Sequence, residues 1–200
     1  EIQLPEFALF DAVSTHDLEI VNLILDYNCK PSFINLKKPK GTALFVAARN
    51  KDLDIVKRLL SLKGIDPSLK NAQNENILTL AIKNCDFDLI ELIFNFYGDH
   101  IQYKSQFVFD ALLLLSHNIN NNQDNKLNWK IVKKLFENKY IDPNYCDSST
   151  FLYKACFYNE IDVVESLLKL DRIDVNMYEV ESYYTPLMIS IDKNYTKFHG

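Results

Sequence analysis

The chain has 200 residues, 48% of them hydrophobic, and a formal net charge of −5. The charge is spread evenly: residues 1–100 carry 11 basic and 14 acidic side chains, and residues 101–200 carry 11 and 13. Neither half has the basic footprint of a nucleic-acid binder, and no apolar run approaches the roughly 18 residues that would span a bilayer.

The N-terminus alternates charged and apolar residues from Glu1 onward and shows no signal peptide. Cys29, Cys85, Cys146 and Cys156 form no C-x-x-C pair, and His16, His100, His117 and His199 are equally dispersed. This pattern predicts a reducing, intracellular and cytoplasmic setting with no disulfide framework, no metal site and no cofactor.

Along the chain one short pattern is written six times. A leucine-like residue stands at Leu9, Leu44, Leu78, Val108, Leu152 and Leu187, and a small residue follows three positions later at Ala12, Ala47, Ala81, Ala111, Ala155 and Ser190. Paired β-branched or leucine residues come next, as in Ile20-Val21, Ile55-Val56, Leu89-Ile90, Ile131-Val132 and Val163-Val164. Large apolar pairs follow at Ile24-Leu25, Leu59-Leu60, Ile93-Phe94, Leu135-Phe136 and Leu167-Leu168. The small residues recur after 35, 34, 30, 44 and 35 residues. A period near 34 predicts stacked units, none of which can bury its apolar face alone.

Residues 42–68 show what one unit should be. Thr42 can cap a short helix over Ala43-Leu44-Phe45-Val46-Ala47-Ala48. Asn50-Lys51-Asp52 then makes a turn, with Asn tolerating a left-handed backbone and Asp able to cap the next helix. Leu53, Ile55, Val56, Leu59 and Leu60 form the apolar stripe of that helix, and Lys63-Gly64-Ile65-Asp66-Pro67 ends it. The recurring alanines mark the points where two antiparallel helices approach too closely for a larger side chain. Trp129 falls in register with Leu18, Leu53, Phe87 and Ile161, which predicts a core position.

In this register the chain resembles the ankyrin-repeat family over nearly its whole length. Thr185-Pro186-Leu187-Met188 is closest to the family's T-P-L-H opening, with looser forms at Thr42-Ala43-Leu44-Phe45 and Thr150-Phe151-Leu152-Tyr153. The G-A-D-V-N connector is resembled by Arg172-Ile173-Asp174-Val175-Asn176, Tyr140-Ile141-Asp142-Pro143-Asn144 and Gly64-Ile65-Asp66-Pro67-Ser68. An acid before a β-branched pair appears at Glu19-Ile20-Val21, Asp54-Ile55-Val56 and Asp162-Val163-Val164. The resemblance implies an all-α solenoid of stacked helix-turn-helix repeats with extended hairpin-like connectors. The tetratricopeptide repeat, of the same period but lacking the acidic connector, is the alternative fold.

The repeats are expected as a single domain over 1–200, divided roughly at 3–35, 36–70, 71–101, 102–144, 145–178 and a truncated 179–200. The sixth repeat reaches Gly200 where its outer helix should begin, which predicts a fragment of a longer protein or an improvised cap. The family's opening His is replaced by Phe10, Phe45, Thr79, Phe109, Tyr153 and Met188, so aromatic packing is expected in its place. With only four glycines, the turns should rely on positive φ at Asn50, Asn84 and Asn159. Residues 118–126, polar and Asn-rich, are expected as a mobile insertion, with a contact loop as the alternative.

No phosphate-cradling loop, nucleophile elbow or H-E-x-x-H motif occurs, and Asp54, Asp88 and Asp162 read as helix N-terminal charges, so no enzyme activity is expected. By resemblance, a protein partner should bind the concave face formed by connector tips and inner helices, with the chain itself monomeric. Register places Arg49, Asn50, Lys83, Asn84, Phe157, Tyr158 and the connector residue Tyr184 on that face. Phe157-Tyr158 is either an interface anchor or packed on the fourth repeat near Leu113 and Leu114. Two other functions remain open: a regulatory or targeting segment of a larger enzyme or channel, and binding of acidic surfaces or nucleic acid through Lys37-Lys38-Pro39-Lys40.

Overall fold

The computed structural model describes residues 4–97, 105–121, 125–139 and 141–193. Its elements, in chain order, begin with helices α1 (Ala8–Val13), α2 (Leu18–Tyr27) and α3 (Pro31–Ile34), then strands β1 (Lys37–Lys38) and β2 (Gly41–Thr42). Helices α4 (Ala43–Asn50), α5 (Leu53–Leu60), α6 (Ile77–Lys83), α7 (Phe87–Tyr97) and α8 (Ser105–Asn120) follow. The last are α9 (Asn125–Phe136), α10 (Phe151–Phe157), α11 (Ile161–Leu168) and α12 (Pro186–Asp192). The chain parts into two compact units, residues 1–107 and 108–200, with the division inside α8.

In the first unit α1, α4 and α6 are inner helices and α2, α5 and α7 are outer ones, each pair antiparallel and stacked on the next. In the second unit α10 packs on both α11 and α12, and α11 packs on α9. Helices α4, α6, α10 and α12 start where a side-chain oxygen satisfies an orphan amide, whereas α1 has no side-chain cap. Thr42 accepts from the Phe45 N–H, Thr150 from that of Tyr153 and Thr185 from that of Met188. Asn76 and Thr79 close a reciprocal capping box on α6.

Three inner helices, α4, α6 and α10, end in the same way. Ala47, Ala81 and Ala155 are fully buried at the helix crossing, and their carbonyls accept from the N–H of Asp52, Asp86 and Glu160 at 3.1, 2.8 and 2.9 Å. One residue earlier, the amides of Lys51, Cys85 and Asn159 bond back to Ala48, Ile82 and Cys156. This is a Schellman turn, and it needs one left-handed residue. That residue is Lys51, Cys85 or Asn159, with φ of 66°, 51° and 58°. Positive φ was expected at Asn50 and Asn84. It falls one position later in both turns, because Asn50 still belongs to α4 and Asn84 is the right-handed cap of α6. Asp52 also departs from expectation: it does not cap α5, and its carboxylate instead meets His16 Nδ1 at 2.9 Å.

The connectors stack through their backbones. β1 and β2 pair antiparallel, Lys37 with Thr42 and Lys38 with Gly41, and the tip carbonyl of Pro39 accepts from the Ala72 N–H at 3.0 Å. In the second unit the Ser148 carbonyl accepts from the Val180 N–H at 3.0 Å. In two places an asparagine clamps one connector to the next. Asn35 Nδ2 donates to the Gly64 carbonyl at 2.7 Å while its Oδ1 accepts from the Asp66 N–H at 2.8 Å. Asn144 holds the Arg172 carbonyl and the Asp174 N–H in the same way, at 2.8 and 2.7 Å.

The core follows the repeated pattern. The leucine-like marks from Leu9 to Leu152 and the alanines are buried, as is Trp129. Leu187, in α12, is the departure at 56% exposed. The replacements for the missing His divide: Phe10, Phe45 and Tyr153 are buried, whereas Phe109 lies half exposed against Tyr145 and Met188 is exposed.

The expected mobile insertion over 118–126 is corrected by the structure. Helix α8 continues through Asn120 and α9 begins at Asn125, leaving only residues 122–124 outside the described set. Ile119 is fully buried and Asn120 is a hydrogen-bond acceptor, so this polar run carries two packing contacts that hold it in helix. The outer helix expected after α12 falls in residues 194–200, outside the described residues.

Two stability changes follow from the turn. Ala47→Leu overpacks the α4–α5 crossing and should cost about 1–3 kcal/mol in urea denaturation. Lys51→Gly relieves a left-handed side chain at an exposed position and should stabilise by about 0.5–1 kcal/mol, the strain relieved less the added chain entropy. An unchanged urea midpoint for both would show that the turn is not what closes the helix pair.

Candidate partner-binding face

At the ends of α4, α6 and α10, beside the buried alanines, the residues next to the left-handed turn keep part of their surface in solvent. Arg49, exposed, occupies the last turn of α4, where the helix dipole favours a cation. It lines a cleft of about 380 Å³ with Phe10, Asp11, Ser14, Lys38, Pro39, Lys40 and Val46. The Lys38 ammonium lies 4.4 and 4.8 Å from the ring centres of Phe7 and Phe10. Asn50 is half buried beside Arg49.

Lys83 and Asn84 close α6 in the same way, but their electrostatics differ. Lys83 Nζ is in direct ion-pair contact with Glu75 Oε1, and Asn71 Nδ2 donates to the other carboxylate oxygen at 2.9 Å. Partial burial works to raise the Glu75 pKa, yet the bonds from Lys83 and Asn71 outweigh it and hold the carboxyl below its usual range. The Lys83 charge is therefore balanced by Glu75 within its own repeat.

In the second unit Phe157 ends α10 and Tyr158 caps it, both half buried. The Phe157 ring stacks on Tyr153 at 6.5 Å, meets Tyr158 edge-on at 5.0 Å and carries the Lys193 ammonium 4.6 Å from its centre. These two aromatics thus pack within their own repeat and against the end of α12. Tyr184, 38% exposed, lies in the connector before α12, where its carbonyl accepts from the Glu179 N–H.

A buried polar cluster beside this patch escaped the sequence reading. Lys154, 3% exposed, stands where α4, α6 and α12 carry Val46, Leu80 and Ile189, and where α1 carries the exposed Asp11 and α8 carries Asp110. Its ammonium donates to Asn120 Oδ1 at 3.0 Å and lies 3.6 Å from Asp147 Oδ1, while the Ser116 hydroxyl donates to the other Asp147 oxygen. Burial pushes the Lys154 pKa down, against the opposing pull of Asp147. Burial works to raise the Asp147 pKa, but Ser116, the Ser148 N–H and Lys154 together hold it below its ordinary 3.8. The sequence carried no clear signal of this cluster, because the same register also holds Asp11, which is exposed, and Asp110. Nearby, burial alone pushes the Cys156 thiol up to about 11, which leaves it a protonated packing group at neutral pH.

Among the described residues no three His, Cys, Asp or Glu side chains gather as a metal site, and the four cysteines are free. No helix among them is long and apolar enough to cross a membrane. Residues 9–105 match the family model for ankyrin repeats, in three copies. The chain carries ankyrin repeats.

A solved structure, that of EF0377, an ankyrin repeat protein, superposes with a TM-score of 0.61 over 97% of this chain and 95% of that one, at 19% identity. The all-α, ankyrin-type fold is thereby shown on both grounds. NAD-dependent deacetylase sir2B of Dictyostelium discoideum is 27% identical over 173 residues, 82% of this chain. Human NF-kappa-B inhibitor zeta is 43% identical over 79 residues, 37% of this chain. The ankyrin-repeat chain spans only 21% and 11% of the lengths of these two relatives. Ankyrin repeats generally mediate protein–protein interactions.

The buried cluster yields a stability test. Asp147→Ala leaves the Lys154 ammonium without its ion pair and should destabilise by about 2–3 kcal/mol, below the fully buried value because the carboxylate keeps part of its surface in water. Removing both charges, Asp147→Ala with Lys154→Met, should cost less than Asp147→Ala alone, because no buried charge is then left without its partner. Because the folded Asp147 pKa is depressed, its contribution is complete above pH 3.8 and is lost as pH falls through the folded value. In acid titrations Asp147→Ala should therefore flatten the stability loss below that pH.

Proposed function

We infer that this chain is a non-catalytic protein-interaction module that binds a partner protein on the face of its inner-helix ends and connector tips. The observation that carries this reading is the placement of Arg49 and of the Phe157–Tyr158 pair in last-turn or cap positions, which the repeat framework leaves free to vary. Half-exposed aromatics are favoured anchors because they bury large area with few rotatable bonds. A rigid stack presenting them needs little ordering on association.

One specific observation favours a second reading, in which the module targets or regulates an attached enzyme. The deacetylase relative matches over 82% of this chain while the match covers 21% of that protein, so a segment like this one accompanies other sequence there. The binding mode would be the same in both readings, and the difference lies in what the module is joined to.

The test is affinity capture from lysate with the intact chain beside a Phe157→Ala/Tyr158→Ala double variant, after matching helicity and melting temperature. Loss of about tenfold or more in the captured partner with the variant supports an aromatic anchor on this face. A folded variant that captures the partner equally well would remove the two aromatics from the interface.

A further inference from the structure

Resting on the protein-binding reading, the geometry points to a definite chemistry for the partner: the cleft between α1, α4 and the β1–β2 hairpin takes an acidic peptide segment with an apolar residue set among its carboxylates. Three cations converge on this cleft from two elements, Lys38 and Lys40 from the hairpin and Arg49 from α4, against the single carboxylate of Asp11. Among the described residues Lys40 and Arg49 take part in no ion pair, whereas Lys83, at the matching place on α6, is neutralised by Glu75. In a chain of net charge −5 this is a local reversal of sign.

The walls are held in advance of binding. The hairpin is fixed by its own pairing and by the Pro39–Ala72 bond, and the Gly41 backbone at φ 109° lies against the Phe45 ring. Lys38 is steered by the Phe7 and Phe10 rings. Held in place, the Lys38 ammonium loses little entropy when it meets a carboxylate, which favours binding. Phe10 and Val46 give the cleft an apolar floor. Its 380 Å³ has room for a few side chains of an extended segment.

A peptide fits this arrangement better than a nucleic acid does. A phosphate backbone presents a closely spaced, unbroken line of charge and calls for a continuous basic track. Here the positive patch is short and Asp11 interrupts it. A peptide can place a carboxylate opposite Arg49 and another near Lys40, turn an apolar side chain to the floor and leave Asp11 unopposed.

The experiment is selection of a random-peptide display library on the full chain, followed by synthesis of the enriched sequences with a fluorescein label. Their binding is then measured by anisotropy to the intact chain and to a Lys40→Glu/Arg49→Glu variant matched in helicity and melting. The expected result is enrichment of Asp and Glu around an apolar residue, an affinity that falls as salt is raised, and a loss of about tenfold or more on charge reversal. Enriched peptides without acidic residues, acidic peptides that bind the variant equally, or no enrichment would each overturn the proposal. So would displacement of the peptides by a single-stranded oligonucleotide at equal or lower concentration, which would make the cleft a general polyanion site. Any of these, with partner capture through Phe157 and Tyr158 intact, would sink the acidic-segment proposal and leave the protein-binding reading standing.

Discussion

The repeats in this chain depend on how closely two helices approach at one alanine. At Ala47, Ala81 and Ala155 the methyl group faces the crossing, and the carbonyl of the same residue accepts the amide five residues on. A larger side chain would push the helices apart, and a broken turn would leave that carbonyl buried and unsatisfied, so packing and hydrogen bonding impose the same local geometry. The left-handed residue that the turn requires is Lys51, Cys85 or Asn159 where glycine would be least strained. The framework accepts this backbone cost because three helix pairs are closed by it.

The same turn explains why candidate binding residues sit where they do. Once the Schellman bonds end the inner helix, the exposed side chains of its last turn are not needed for the helix pair, and the negative end of the helix dipole favours Arg49 and Lys83 there. What each cation can do then depends on its neighbours. Arg49 faces a cleft with two lysines, while Lys83 is held by Glu75, itself oriented by Asn71. Between repeats, cohesion comes from polar contacts of high geometric content as well as from the core. The Asn35 and Asn144 carboxamides each read one carbonyl and one amide of the following connector, and Arg172 donates to the Asn138 carbonyl at 2.7 Å.

Two departures from the repeat pattern are linked. Lys154 places an ammonium at a position that is apolar in α4 and α6, and such a group is tolerated only with compensating partners. Asp147 and Asn120 supply them, the latter from the final residue of α8. The Asn-rich run read as polar excess is in part the hydrogen-bonding shell of a buried lysine, with Ile119 anchoring it in the core. Composition is a poor guide there because a buried charge inverts the usual preference: polar side chains become the ones that stabilise burial.

The sequence by itself determined the period, the register of inner and outer helices, the cap at Thr42, the core place of Trp129 and hence the all-α repeat architecture. These are legible because they depend on residues within one repeat, at spacings of three or four dictated by the helix. Only the tertiary structure decided which turn residue takes positive φ, that Asp52 pairs with His16 instead of capping α5, and that Lys83 is neutralised while Arg49 is not. It alone placed Lys38 and Lys40 across a cleft from Arg49 and joined Lys154 to Asn120. The His16, Lys154 and asparagine-clamp contacts join side chains about one repeat apart in the chain. Even the nearer Lys83–Glu75 pair links a helix end to a connector. The local sequence does not encode which of several acids or amides a cation will meet, because that choice is made by the stacking of one repeat on the next.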